Sequence, residues 1–300
     1  MDLGRIATAM VTPFKENGEI DYEQVEQIID HLIANGTDTI VVCGTTAESP
    51  TLSQEEKLQL IEFTVQKVNK RVPVVAGTGD NETSFSIEMT KKAEELGADA
   101  AMLVAPYYNK PNQRGLYEHF AAIAKETSLP LVVYNVPGRT GVNIAAETTI
   151  ALSKIPNIQI VKEASGNLDQ MTEILANVPD DFYVYSGDDG LTLPLVAIGG
   201  RGVISVAAHI VGNDMQAMIR AFDEGRHRDA AEIHQALLPL IRELFANPSP
   251  VPVKYAMSKI GINIEKVRLP LVELNEAEKA SFDKVWNEYQ DKAKNFKVYS

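Results

Sequence analysis

The feature that most constrains this chain is a repeated alternation. Eight short, β-rich apolar runs recur at Ile6–Val11, Thr39–Val42, Val72–Ala76, Ala100–Val104, Leu131–Tyr134, Ile158–Val161, Phe182–Tyr185 and Gly202–Val206. Most are bounded by Gly, Pro, Asn or Asp, the pattern of strands buried on both faces of a parallel sheet. Between them lie amphipathic stretches of helical period. Tyr22–Ala34 puts Val25, Ile28, Ile29 and Leu32 on one face. Gln54–Val68 opens after Ser53 with Glu56 three residues on, a capping box. Thr83–Leu96 stops at Gly97, a helix terminator. Eight strand–helix repeats predict an α/β fold, and closure into a (β/α)8 TIM barrel is the simplest arrangement at 300 residues. A doubly wound sheet is the alternative, but no GxGxxG follows the first run. Strand signals stop near residue 224. Arg226–Phe245, Pro252–Ile260 and Glu276–Ala293 read as helices. The expected layout is a barrel over residues 1–224 and a C-terminal helical region over 225–300 packed on it.

Charge narrows the partners. Forty-one acidic against 28 basic residues give −13, which repels phosphate backbones and anionic lipid. Neither nucleic acid nor membrane is expected as a partner, and a small anionic substrate would need a locally basic pocket. No apolar run reaches the 18–20 or so residues of a membrane helix. The N-terminus lacks a basic and then apolar leader, so an unprocessed, soluble chain is expected. The lone Cys43 allows no internal disulfide and fits a reducing, cytoplasmic setting.

Barrel chemistry sits at the C-terminal ends of the strands, and several of these ends are unusual. The second runs into Gly44-Thr45-Thr46-Ala47-Glu48-Ser49, either a carboxylate-binding turn or a helix N-cap. The fourth ends in Pro106-Tyr107-Tyr108-Asn109-Lys110-Pro111, a pocket lip, a subunit contact or simple packing. The fifth leads into Tyr134 and then Arg139, a phenol able to relay protons and a guanidinium able to grip a carboxylate; the plain reading of Arg139 is a surface arginine. The sixth carries Lys162 in Lys-Glu-Ala-Ser. Lysine is rarely buried because desolvating an ammonium is costly, so this one is either an amine nucleophile or a side chain snorkelling to solvent. The seventh ends in Asp188-Asp189, metal ligands or, on balance, helix caps. Glycines near the eighth suggest close backbone approach to a ligand. The histidines at 31, 119, 209, 227 and 234 form no metal spacing. No P-loop, GxSxG or CxxC occurs. No cofactor and no metal is expected, and Cys43 reads as inert core.

Taken in order, these segments resemble the dihydrodipicolinate synthase family of pyruvate-dependent aldolases. The resemblance spans nearly the whole chain, from Thr12-Pro13-Phe14 through Gly44-Thr45-Thr46, Gly77-Thr78-Gly79, Pro106-Tyr107-Tyr108-Asn109, Tyr134-Asn135-Val136-Pro137-Gly138-Arg139-Thr140-Gly141 and Lys162-Glu163-Ala164-Ser165-Gly166-Asn167 to Asn247-Pro248. It implies condensation of pyruvate with L-aspartate 4-semialdehyde to 4-hydroxy-tetrahydrodipicolinate, at the head of diaminopimelate and lysine synthesis. It implies Lys162 as the Schiff-base lysine, Tyr134 as the proton carrier, Thr45 as the link between two tyrosines, and Tyr108 as the tyrosine that reaches a neighbouring subunit's site. Thr46 and the backbone at Ile204 match the pyruvate-holding groups, and Arg139 the grip on the aldehyde's carboxylate. A homodimer or homotetramer is implied. Ala47 departs from the family's usual glycine.

Rival readings are an N-acetylneuraminate lyase, a keto-sugar-acid aldolase, or a non-catalytic small-acid-binding barrel. The first usually has Ser-Thr in place of Thr45-Thr46 and lacks a counterpart of Arg139. Many relatives are inhibited by lysine. This chain keeps Ser49, Asn81 and Tyr107 but has Phe85 where lysine-sensitive relatives place an acid, with Pro50, Gln54 and Lys57 also differing. It is expected to be insensitive.

Overall fold

A computed structural model describes residues 1–294 and 296; residues 295 and 297–300 of the expected helical region lie outside the described residues. Eight parallel strands close in chain order, the eighth returning to the first. They are β1 (Ile6–Ala9), β2 (Thr39–Val42), β3 (Val74–Gly77), β4 (Ala100–Val104), β5 (Leu131–Asn135), β6 (Ile158–Glu163), β7 (Tyr183–Ser186) and β8 (Gly202–Ser205). All eight expected strands form, and the TIM-barrel expectation holds.

The alternation of side chains sorts each strand into two cores. Ala7, Val41, Val75, Val132, Tyr134, Ile160, Tyr185 and Ile204 fill the barrel interior. Their outward neighbours, such as Ile6, Ile40 and Val42 on one side and Leu103, Val133 and Val161 on the other, pack under the helices. The expected capping box is present: Glu56 N donates to Ser53 Oγ (3.1 Å) and Ser53 N to Glu56 Oε2 (2.9 Å). Gly202 corrects the expectation of close ligand approach. It opens β8 at the end away from the strand termini, where a Cβ would lie 2.0 Å from the Arg5 carbonyl oxygen, so it serves barrel closure instead.

Past β8, helix Ala208–Asp223 is followed by helices His227–Leu244, Val251–Ser258 and Glu276–Ala293, close to the three expected. The helix over 227–244 packs on both 208–223 and 276–293. It also reaches the turn after β7, which places its other face at the mouth of the barrel. No described helix is long and apolar enough to cross a membrane.

Candidate active site

β5 and β6 pair so that Tyr134 stands opposite Lys162. Both side chains point into the barrel near its C-terminal end, and both residues are only 5 % exposed. Lys162 Nζ lies 4.1 Å from the centroid of the Tyr134 ring. The chain buries a second lysine, and the contrast is informative. Lys254, fully buried, holds Glu48 at 2.5 Å and the Lys266 carbonyl at 2.7 Å, as a buried charge should. Among the described residues nothing accepts a hydrogen bond from Lys162 or pairs with it. A buried amine that is unpaired and open to a cavity is a reactive amine in waiting.

The next residues along these strands fix that geometry. Asn135 and Glu163, also in register, turn to the outer face and are fully buried. Asn135 Nδ2 donates to both Glu163 oxygens at 3.0 and 3.1 Å, while Ser165 N (2.8 Å) and Gln170 Nε2 (3.1 Å) complete the carboxylate's shell. This clasp locks two strands at the level of the amine and the phenol. Nothing in the sequence pattern separated Glu163 from an ordinary strand-end acid.

After β2 the chain enters a short 3-10 turn, Thr45–Ala47, with no side-chain cap, so the N-cap reading of this motif fails. Thr45 is half-buried, Thr46 is buried, and both line the cavity holding Lys162. Ala47 is unstrained; the left-handed residue is Glu48 (φ 58°), held by Lys254 and by Arg268 N at 3.0 Å. A methyl at 47 is therefore compatible with the turn. Cys43 lies at 2 % exposure, and burial pushes its thiol up to about 12.

The acids after β7 divide the work. Asp188 caps the turn Asp189–Leu191 by accepting from Gly190 N at 2.8 Å, as the capping reading required. Asp189 does not cap. Buried at 2 % exposure, it accepts from Ser205 Oγ, Val206 N (3.0 Å) and Ala207 N (3.1 Å), tying β7 to the end of β8. Desolvation raises its carboxyl above the usual range despite these donors. Gly187 was not singled out by the sequence. A Cβ there would sit 2.7 Å from Ala164 Cβ and 3.1 Å from Lys162 Cε, so only glycine leaves room for the lysine stem.

These ends enclose a cleft of about 720 Å³ lined by Thr45, Thr46, Tyr134, Arg139, Lys162 and Gly187 and walled by the helix over 227–244. Arg139 is exposed on the turn Pro137–Thr140. At Thr45, Tyr134 and Arg139 this cleft meets a second cavity of about 250 Å³ that runs past Ser49, Pro50, Lys57, Asp80 and Tyr107. Two expected residues stand apart. Ile204 belongs to the barrel interior and is not among the described lining residues of either cavity. Tyr108 points away, 89 % exposed with φ +69°. Its neighbour Tyr107 donates to Asp80 Oδ2 at 3.0 Å, and burial together with that carboxylate pushes its phenol up to about 12.

A (β/α)8 barrel with an unpaired lysine beside a phenol at its strand termini defines the class, a lysine-bearing barrel of the aldolase type. Residues 2–288 match the model of the dihydrodipicolinate synthetase family, and the chain belongs to that family. The 4-hydroxy-tetrahydrodipicolinate synthase of Bacillus velezensis is 59 % identical over 96 % of this chain and 100 % of its own. That of Bacillus subtilis is 57 % identical with the same coverage. A dihydrodipicolinate synthase crystal structure from Bacillus anthracis superposes with a TM-score of 0.95 at 53 % identity, covering 96 % of this chain and 98 % of that one. The Cyanidioschyzon merolae enzyme, solved with lysine bound, gives 0.94 at 44 % identity with the same coverage.

Proposed function

We propose that this protein condenses pyruvate with L-aspartate 4-semialdehyde to give 4-hydroxy-tetrahydrodipicolinate, the first step of the diaminopimelate–lysine branch. The observation that carries the reading is the unpaired Lys162 amine 4.1 Å from the Tyr134 ring in a cleft that also holds Thr45, Thr46 and Arg139. The Lys162 amine attacks the pyruvate ketone, and water leaves to form an iminium. The iminium draws electrons from the adjacent methyl group, which gives up a proton and becomes an enamine carbon. Tyr134 and Thr45 carry protons in these steps. The enamine attacks the aldehyde while Arg139 holds its carboxylate, and the acceptor's amine then closes the ring and displaces Lys162 by transimination. Thr46, which lines the cleft, holds the pyruvate carboxylate.

Tyr108 supports an oligomer, a homodimer or homotetramer. A largely exposed aromatic side chain on a left-handed residue is costly for one subunit alone and fits a role in a neighbour's site. Cytoplasmic residence, a working unit built from the barrel over 1–224 and the helical region over 225–300, and no nucleic-acid or membrane partner belong to the same reading. The test has two arms. Borohydride with pyruvate should add one three-carbon unit, at Lys162. A coupled assay should show aspartate semialdehyde as the preferred acceptor over sugar aldehydes; preference for a sugar aldehyde, or label on another lysine, would refute the reading.

A further inference from the structure

The cleft around Lys162 is much larger than a three-carbon acid needs, and its outer wall is one face of the helix over 227–244 with the residue that follows it. His234, Leu238, Ile241, Arg242 and Phe245 line or flank it at helical spacing, while Ile233, Leu237, Leu240 and Leu244 face the core. Arg242 is exposed on that wall. Six of the chain's ten arginines hold a carboxylate: Arg5, Arg71, Arg201, Arg226, Arg228 and Arg268. Among the described residues the other four, Arg114, Arg139, Arg220 and Arg242, hold none, and of these Arg139 and Arg242 line this cleft. In a chain of net charge −13, two unpaired guanidiniums lining one cleft are a local concentration of positive charge.

The balance at the mouth turns on Arg242. Besides Lys162, the charged side chains lining the cleft are Arg139, Arg242 and Asp188. Burial moves His234 below its ordinary value, so it adds no charge at neutral pH. Two guanidiniums against one carboxylate leave the mouth positive; without Arg242 they cancel, and the field of the whole acidic protein governs approach. Leu238, Ile241 and Phe245 flank Arg242 with low-dielectric surface, which focuses its field into the cleft.

We propose that Arg242 is the cation that draws the anionic 2-oxo acid into the cleft, acting on capture rather than on the bond-making steps. This rests on the pyruvate chemistry assigned above to Lys162. The experiment measures the second-order rate of Lys162 labelling by pyruvate and borohydride, without the aldehyde, for the parent, Arg242→Lys, Arg242→Gln and Arg242→Glu. At low salt Arg242→Lys should stay near the parent, Arg242→Gln should fall roughly two- to five-fold, and Arg242→Glu by about the square of that. At about 0.5 M salt, where screening lengths shrink to a few ångströms, the four rates should converge. Salt should slow the parent and speed Arg242→Glu. Low-salt rates indifferent to the charge at 242 would overturn the proposal, as would losses that persist unchanged at high salt. Absence of labelling in the parent would instead overturn the Schiff-base reading, and this one with it.

Discussion

His209 offers the sharpest test of how the barrel is closed, because its two hydrogen bonds allow one protonation state. It is fully buried in the first turn of helix Ala208–Asp223, just past β8. Val11 N donates to its Nε2 at 3.2 Å, and its Nδ1 lies 2.8 Å from the Val206 carbonyl, which can only accept. Nδ1 therefore carries the proton and Nε2 the lone pair; a proton on Nε2 would face the Val11 N–H. Desolvation drives the imidazole down to about 4, with the Val206 bond raising it and His31 lowering it further. An unfolded histidine titrates near 6.5. Above that pH neither state binds the proton, and the stability from this group is complete. Below it the unfolded chain takes up a proton that the folded chain refuses, so stability falls until the folded value near 4 is passed. At 1.36 kcal/mol per unit, the loss is ~3 kcal/mol. Glutamine at 209 can accept and donate without titrating. In urea unfolding at matched protein concentration, the stability of the parent relative to His209→Gln should drop by ~3 kcal/mol between pH 7 and pH 4. His119, also driven down to about 4 by burial, and Asp189, driven up, are common to both proteins and cancel in the difference. A difference that stays constant across that range would refute the assigned tautomer and its burial cost.

Four further outcomes follow from the site. Gly187→Ala should cut kcat/KM by about tenfold or more with the fold retained, because its methyl occupies the space of the Lys162 stem; full activity would mean that the lysine is less confined than its contacts imply. Arg139→Ala should raise KM for the aldehyde far more than KM for pyruvate, by the roughly 1.5–3 kcal/mol of a charged hydrogen bond; an equal rise in both contradicts its role. Mixing inactive Tyr108→Phe and Lys162→Ala subunits should restore some activity through hybrid sites, and no recovery despite proven exchange argues against a shared site. L-Lysine should not half-inhibit below about 1 mM, since in the second cavity an incoming ammonium meets Lys57, whose Nζ is 6.0 Å from the Phe85 ring; inhibition there would show that Asp80 supplies the balancing charge.

The eight strands were legible because a strand buried on both faces leaves a dense apolar run that few other elements imitate. The helix at 22–34 was legible from its apolar face and that at 54–68 from its capping box, and their limits, like those read for 276–293, match the structure. Side-chain direction was harder to read. Lys162 and Glu163 are adjacent in sequence, yet one faces the cleft and the other an amide shell on the outer face, a difference set by the strand's alternation and its register with β5. The pair Asp188-Asp189 shows the same limit: two identical side chains, one capping its own turn and one anchoring the end of the neighbouring β8. Gly187 was illegible because its reason lies in side chains of another strand. The wall formed by Arg242 was illegible because it depends on where the later helices dock.

That docking explains why the helical region is more than a cover. Glu48, directly after the Thr45–Ala47 turn, is buried in the left-handed region, and its carboxylate has to be matched by charges from elsewhere. Lys254 from helix 251–258 and the Arg268 backbone supply the match. Both cations also lie against the Phe14 ring, Lys254 Nζ at 4.5 Å and the Arg268 guanidinium at 4.4 Å from its centroid. Arg268 continues outward to Glu56 and to the carbonyls of Gly18 and Thr51. A buried ion pair of this kind adds little net stability over an apolar substitute, but losing one partner leaves a stranded charge. What the contacts do is join the residue after the turn that presents Thr45 and Thr46 to both ends of the segment 254–268. The barrel strands thus set the amine and the phenol by register, while the later helices set the threonine turn and the outer wall of the cleft, and the site exists where the two meet.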